Sequence, residues 1–241
     1  MEFKKIIKMI SGTVAMVVVF IMACGIYFSF KGYVSDGNGG FILVKNANAA
    51  SPVSNEVVVP PTFVYPDGPA KGNPDAKLTL YEVSSFGCYY CAEFHNKTMP
   101  LIEENFVKTG KVRLVFAAFP LDRVSMMAQM MGMCLPEEKF FDFADKVFAN
   151  QRKWQLSSDA KTMISEYAQE SGLDGAKIEE CLKNVKVAQD IIAFRQSAME
   201  TLKIKGTPAL VMVKNGKTEI FEGAVPFDEL KVKIEKKLNE N

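Results

Sequence analysis

Residues 86–91 read Phe86-Gly87-Cys88-Tyr89-Tyr90-Cys91, so two cysteines stand three positions apart. A run rich in Leu, Tyr and Val, Lys77 to Val83, precedes them and predicts a strand. We expect a helix to begin near Cys88 and to run to about Glu104. The partial positive charge of a helix N-terminus favours the thiolate of Cys88, and the thiolate is the attacking species in disulfide exchange. The segment therefore predicts a redox-active disulfide that works without a bound cofactor.

The sequence on either side of this motif predicts an α/β fold. Lys111 to Phe119 has the pattern of a buried strand, so strand, helix and strand indicate a βαβ unit with a parallel sheet. Residues from about 121 to 203 are almost wholly helical in pattern. They are followed by a strand, an Asn215-Gly216 turn, a second strand and an amphipathic helix, Phe227 to Leu238.

A second short motif, Gly206-Thr207-Pro208-Ala209, stands directly before the strand that follows the helical block. With the CxxC motif and this order of elements, residues 72–238 resemble the bacterial DsbA-type thiol–disulfide oxidoreductases of the thioredoxin superfamily. The resemblance implies a thioredoxin fold with an inserted helical subdomain.

The resemblance also implies roles for particular residues. Cys88 corresponds to the nucleophilic cysteine of the family and Cys91 to the resolving one. Pro208 corresponds to the cis-proline that faces the disulfide, and the backbone of Thr207 to the segment that pairs with substrate peptide. Glu82 matches an acidic residue under the active site, where it would take the proton of Cys91 during resolution. A solvated charge at the end of the strand is the alternative for Glu82.

Two residues depart from the family pattern. DsbA-type oxidases commonly carry Pro-His between the cysteines, whereas this chain carries Tyr89 and Tyr90, which we expect to contact substrate. The histidine helps to stabilise the thiolate in those enzymes, so only the helix terminus and local amides are left for that role. Reduction potentials of such proteins span about −270 to −120 mV. The residues therefore leave open whether the protein works as an oxidase or as a reductase or isomerase.

His95 is the only histidine of the chain, and it shares a helix face with Cys88 and Cys91. Three ligands on one helix do not surround an ion, and structural zinc takes four. We therefore expect no metal and assign His95 to helix packing near the site. A copper-delivery protein is the alternative.

Cys134 and Cys181 both fall in the helical block. Four cysteines allow three pairings, and the close spacing of Cys88 and Cys91 favours those two as one pair. Some members of the wider family carry a second disulfide in this block, so the resemblance implies a structural Cys134–Cys181 bond. Two unpaired buried thiols are the alternative.

The N-terminal segment predicts export. Residues 9–30 carry no charge and follow three lysines. At about 1.5 Å per residue they would span a hydrocarbon core of about 30 Å as a helix. We expect an uncleaved inner-membrane anchor in residues 1–31, with a cleaved signal or a lipoprotein at Cys24 as alternatives. A Gly- and Pro-rich tether, residues 32–74, would then lead to a periplasmic domain, residues 75–241.

Composition excludes several other classes of protein. Hydrophobic residues make up 48% and charged residues 24%, as in an ordinary globular protein. The net charge of +1 excludes a globally basic nucleic-acid binder. We therefore predict an exported oxidoreductase that introduces or exchanges disulfides in exported proteins with cysteine pairs. The resemblance implies a DsbB-type membrane partner that reoxidises it. A redox-inert surface-exposed binding protein is the alternative from a different class.

Overall fold

The computed structural model describes residues 33–35, 41–43, 54–60 and 63–240. The predicted anchor at residues 9–30 lies outside this described part of the chain. Within it, no helix is both long enough and apolar enough to cross a membrane. In the N-terminal unit, two short strands pair antiparallel, β1 (Tyr33–Ser35) and β2 (Phe41–Leu43).

The second unit, Pro52–Asn241, contains a six-stranded sheet. Its strands in chain order are β3 (Ser54–Val57), β4 (Ala70–Lys71), β5 (Leu78–Ser84), β6 (Val112–Ala118), β7 (Ala209–Lys214) and β8 (Lys217–Glu222). Across the sheet the order is β3-β8-β7-β5-β6-β4. β5 and β6 are parallel, as the βαβ unit predicts, and all other neighbours are antiparallel. The mixed α/β fold is therefore the one that the sequence predicts.

The connections between β5 and β6 and between β6 and β7 are helical. Between β5 and β6 lie α1 (Tyr89–Lys97), α2 (Met99–Ile102) and a π-helical turn (Glu103–Val107). Between β6 and β7 lie α3 (Arg123–Met133), α4 (Glu137–Ala149), α5 (Gln151–Gln155), α6 (Ala160–Glu170), α7 (Gly175–Leu182) and α8 (Val185–Glu200). The last described helix, α9 (Phe227–Asn239), follows β8.

The prediction of one continuous helix from Cys88 to about Glu104 is wrong. α1 ends at Lys97, and Thr98 separates it from α2, which has Pro100 in its first turn. Proline has no backbone N–H to donate to an earlier carbonyl, so it is tolerated at a helix start but not in a helix interior. The helix that carries the CxxC motif is therefore short, and its residues Cys91, Ala92 and Phe94 belong to the larger core cluster.

Glu82 lies on the face of β5 that α1 covers. Side chains alternate along a strand, and Leu78 and Leu80 on the same face belong to the larger core cluster, which also contains Cys91 of α1. Glu82 is completely buried. The alternative of a solvated charge at the strand end is therefore wrong, because the carboxylate points into the helix-covered side of the sheet.

A disulfide links two helices of the block. Cys134, the C-cap of α3, is bonded to Cys181 of α7, with the two Cα atoms 6.2 Å apart. The bond closes a loop with a sequence separation of 47, which contains α4, α5 and α6. In the loop-entropy description, such a bond contributes about 2–4 kcal/mol to stability.

Candidate active site

Cys88 occupies the N-cap of α1. Its Sγ accepts a hydrogen bond from the Cys91 amide at 3.3 Å, and its thiol donates to the Thr207 carbonyl oxygen at 3.2 Å. Both Cys88 and Cys91 are free thiols in the structure. Cys88 is 8% exposed, whereas Cys91, one turn inside α1, is completely buried. A second molecule can therefore approach the sulfur of Cys88 but not that of Cys91.

The two thiols have opposite pKa shifts. The hydrogen bond from the Cys91 thiol lowers the pKa of Cys88 to about 6, and the amides of Tyr90 and Cys91 act in the same direction. Burial raises the pKa of Cys91 well above its usual range, and its interaction with Cys88 raises it further. Near neutral pH the outer sulfur is therefore a thiolate and the inner one a thiol, which is the division that disulfide exchange requires.

The Thr207-Pro208 peptide bond is cis and lies beside Cys88. Pro208 directly precedes β7, which pairs with β5 along the strand that leads to Cys88. The carbonyl of Pro208 accepts a hydrogen bond from Gly223 at 2.8 Å, which holds this loop to the residue after β8. Two sequence motifs 119 positions apart therefore meet at one end of the sheet.

Exposed apolar side chains lie on and near the segment that carries the outer thiol. Tyr89 and Tyr90 are both exposed, with their rings 5.4 Å apart in an edge-to-face arrangement. Leu121 and Leu156 are also exposed. The Leu121 amide donates a hydrogen bond to Ser85 of the loop before α1, and Leu156 follows Gln155, which donates to Gly87 of the same loop. The assignment of the two tyrosines to substrate contact stays a prediction.

A cluster of charged residues near the thiols consists of buried Glu82 and His95 and exposed Asp145. His95 Nε2 is 2.7 Å from Asp145 Oδ1 of α4, and His95 Nδ1 is 3.8 Å from Glu82 Oε2. The imidazole ring packs on Phe148, with 4.5 Å between ring centroids. Burial by itself lowers the pKa of His95, but Asp145 and Glu82 together raise it to about 9. His95 is therefore an imidazolium at neutral pH.

The prediction that His95 serves helix packing describes only part of its role. The ring is buried against an aromatic side chain, as packing requires, but it is also an ionic partner of two acids. Asp145 lies 50 positions away in the sequence, so no local spacing connects it to His95. Within the described ranges, no group of three His, Cys, Asp or Glu side chains is arranged to hold a metal ion.

Two glutamines of the helical block hold the loop before α1. Gln151 Nε2 donates to the carbonyl oxygens of Phe86 at 2.6 Å and Cys88 at 2.8 Å. Gln155 Nε2 donates to the carbonyl of Gly87 at 2.7 Å. The carbonyls of Phe86 and Gly87 lie outside the sheet and need side-chain partners, whereas the Cys88 carbonyl also accepts from the first amides of α1. Neither glutamine is identifiable from sequence, because a glutamine in a helical pattern has no signal that distinguishes it from a solvated one.

Gly87 stands where a side chain has no room. A Cβ at this position would lie 2.3 Å from Ser125 Oγ and 2.5 Å from Asp122 Oδ2. Asp122 caps α3 and accepts hydrogen bonds from both the amide and the hydroxyl of Ser125. Glycine therefore lets the start of α3 pack directly on the loop that positions Cys88.

Known proteins of similar sequence include disulfide-forming ones. A family model described as thioredoxin matches residues 65–236. A Rickettsia bellii protein named as a protein-disulfide oxidoreductase is 25% identical over 139 residues, which are 57% of this chain and 54% of that protein. The match thus spans about half the length of that relative. Disulfide bond formation protein D of Bacillus cereus is 24% identical over 226 residues, 90% of this chain and 97% of that protein.

Solved structures of similar fold include the following two. Wolbachia pipientis alpha-DsbA1 is 26% identical with a TM-score of 0.66, covering 73% of this chain and 94% of that one. Oxidised BdbD from Bacillus subtilis is 21% identical with a TM-score of 0.63, covering 72% of this chain and 94% of that one. At this identity the match shows a similar fold.

Proposed function

The chain belongs to the thioredoxin family, and on that premise we propose that it is a DsbA-type thiol–disulfide oxidoreductase. The observation that carries the proposal is the contact of Cys88 Sγ with both the Cys91 amide and the Thr207 carbonyl. This contact joins an approachable thiol of low pKa, a buried second thiol and a cis peptide bond in one site. The names of the Rickettsia, Bacillus and Wolbachia proteins support the same chemistry.

In the oxidising direction, the reaction begins with a Cys88–Cys91 disulfide. A substrate thiolate attacks Cys88, and Cys91 leaves as a thiolate that takes up a proton. A second substrate thiolate then attacks the substrate sulfur of the mixed disulfide and expels Cys88. The low pKa of Cys88 makes it a good leaving group. The substrate loses two electrons and gains a disulfide, and the enzyme becomes the dithiol.

We propose oxidation as the net direction, because a stabilised thiolate favours the reduced form of the enzyme and so makes its disulfide an oxidant. The same site run as a reductase or isomerase is the nearest alternative. Exported proteins with cysteine pairs would be the substrates, docking along the Thr207 backbone and contacting Tyr89 and Tyr90. A DsbB-type membrane protein would reoxidise the site, and residues 9–30 would anchor the domain in the periplasm.

The test is oxidation of a reduced two-cysteine peptide by the full chain in a Cys24→Ser background. The wild-type site is expected to form the peptide disulfide, and Cys88→Ser to abolish that reaction. Peptide oxidation that continues undiminished in Cys88→Ser would contradict the proposal and favour a redox-inert binding protein. A glutathione titration of the same protein gives the direction of net electron flow. The reduction potential should be about −120 mV for an oxidase and about −270 mV for a reductase.

A further inference from the structure

The charged cluster leads from the interior to the surface. Glu82 is completely buried, His95 has a side chain only 3% exposed, and the side chain of Asp145 is 65% exposed. The short contact between His95 and Asp145 therefore connects a buried cation to a carboxylate that exchanges protons with solvent. The His95–Glu82 distance of 3.8 Å is too long for a hydrogen bond, so these two residues interact through charge.

The inner end of the cluster lies beside Cys91. Cys91 and His95 are one turn apart on α1, and Ser84 and Glu82 lie two positions apart on one face of β5. Cys91 and Glu82 are both completely buried, and Cys91 packs in the core cluster that contains Leu78 and Leu80, which share a face of β5 with Glu82. One turn further along α1, His95 Nδ1 is 3.8 Å from Glu82 Oε2. Among the described residues, neither carboxylate oxygen of Glu82 has a hydrogen-bond partner.

The outer end of the cluster opens into a surface cleft of about 440 Å³. Asp145 lines this cleft together with side chains of α4 and the end of α6, namely Lys139, Asp142, Lys146 and Glu170. The residues around the outer thiol, Cys88, Tyr89 and Tyr90, do not line it. Protons that pass Asp145 would therefore enter and leave through the helical block rather than across the surface next to Cys88.

We propose that His95 and Asp145 form a proton exit for the buried thiol Cys91, with His95 acting as a positioning residue through Glu82. The inference rests on the proposed function, because only thiol–disulfide exchange requires Cys91 to lose and regain a proton. When a mixed disulfide on Cys88 is resolved, Glu82 takes the proton of the Cys91 thiol. Neutral Glu82 no longer balances the imidazolium, and His95 releases its Nε2 proton to solvent through Asp145.

The step balances in atoms and charge. A thiol, a carboxylate and an imidazolium become a thiolate, a carboxylic acid, a neutral imidazole and one proton in solvent. The Cys91 thiolate then attacks Cys88, forms the disulfide and expels the other thiolate, which carries the two electrons away. When substrate opens the disulfide, the same groups return one proton to Cys91. The cluster thus regains its starting state in every turnover.

The charged groups around His95 define the expected pH dependence. Glu82 faces it from β5, Asp145 faces it from α4, and Cys91 precedes it by one turn on α1. The positive charge of Lys71 of β4 also interacts with the Asp145 carboxylate. Loss of the exit should slow resolution most near neutral pH, where hydroxide is too scarce to deprotonate Cys91 directly, and should matter little at high pH.

The test follows resolution directly with the full chain in the Cys24→Ser background. The reduced protein is mixed with the chromogenic disulfide dithiobis-nitrobenzoate in a stopped-flow instrument. Attack by Cys88 releases a first thionitrobenzoate, and attack by Cys91 on the mixed disulfide releases a second. A positioned proton acceptor contributes about 10²–10⁴-fold, and we expect Asp145→Asn, one step further out, to slow the second phase about tenfold at neutral pH. The first phase should not change.

Matched variants complete the test. Asp142→Asn removes a carboxylate of similar exposure from the same helix and cleft, and both phases should stay as in the wild type. Asp145→Glu keeps a carboxylate and should restore the second phase, and His95→Gln should slow it at least as much as Asp145→Asn. An Asp145→Asn protein whose second phase equals that of Asp142→Asn, or is slowed equally at every pH, overturns the proton exit. Absence of the first phase in the wild type would instead contradict the proposed function.

Discussion

The pair Cys88 and Cys91 and the pair Cys134 and Cys181 lie at opposite ends of helices. Cys88 caps the N-terminus of α1 and Cys91 lies in its first turn, where amides and the helix dipole stabilise a thiolate. Cys134 caps the C-terminus of α3, and Cys181 lies in the last turn of α7, where the dipole disfavours a thiolate. The structure has thiols in the first pair and a disulfide in the second. Helix polarity thus favours a thiolate at Cys88 and disfavours one in the second pair.

The largest expected difference between the pairs is in turnover. In Cys91→Ser, a Cys88 thiolate that attacks a substrate disulfide should stay bound to the substrate as a mixed disulfide. The variant should therefore reduce multiple-turnover peptide oxidation by more than about 100-fold. The double variant Cys134→Ala with Cys181→Ala should oxidise the same peptide within about twofold of the wild-type rate at a temperature where it is folded. Equal losses in the two variants would mean that the second pair is not merely structural.

The second pair should dominate stability instead. Removing the Cys134–Cys181 bond should lower the free energy of unfolding by about 2–4 kcal/mol, because the open chain gains entropy when unfolded. Urea unfolding of the oxidised wild type and the double alanine variant measures the difference. An equal loss of stability on reduction of Cys88–Cys91 alone would contradict a special structural role for the second bond.

The helical block is expected to hold the reactive pair through Gln151. Gln151→Leu leaves the buried carbonyl of Phe86 without its partner and removes one of the hydrogen bonds to the Cys88 carbonyl, which costs about 1–3 kcal/mol. Gln155→Leu is the matched control, since its bond to Gly87 is exposed and should contribute less than about 1 kcal/mol. Urea unfolding separates them, and equal costs would show that the loop does not depend on the buried bonds.

The first pair should also show a dependence on pH that the second pair lacks. Alkylation of reduced Cys88 should rise with a midpoint near pH 6. Since this pKa lies below the usual value of about 8.5, the thiolate stabilises the reduced protein fully above about pH 8.5. That stabilisation is lost as the pH falls through about 6. Unfolding of the reduced and oxidised proteins across this range measures it, and a midpoint near 8.5 would remove the contrast with an ordinary cysteine.

The parts of the molecule that local patterns encode could be predicted from sequence. The strand before Cys88, the Asn215-Gly216 turn and the helical block all appear in the structure near their expected bounds. The predicted helix from Cys88 to about Glu104 was too long, because Pro100 divides it into α1 and α2. The cis peptide beside Cys88 was expected only through a resemblance, not from the residues.

The remaining parts depend on contacts between distant residues. Asp145 and Gln151 lie on helices whose polar positions look alike in sequence, and only the packing of α4 and α5 on α1 selects them. A buried polar side chain is identified by its partner, and the partner is fixed by tertiary structure. The sequence could therefore indicate that Glu82 is near the site but not which residues complete the charged cluster.

The Cys134–Cys181 bond has a consequence for how the protein matures. It closes the loop that contains α4, α5 and α6, so the helices that supply Asp145 and Gln151 gain stability from an oxidation. A newly made chain holds these two cysteines as thiols and needs an oxidant of the kind that it would itself become. Oxidised enzyme molecules would then speed formation of the Cys134–Cys181 bond in newly made ones, so this step would become faster as the enzyme accumulates.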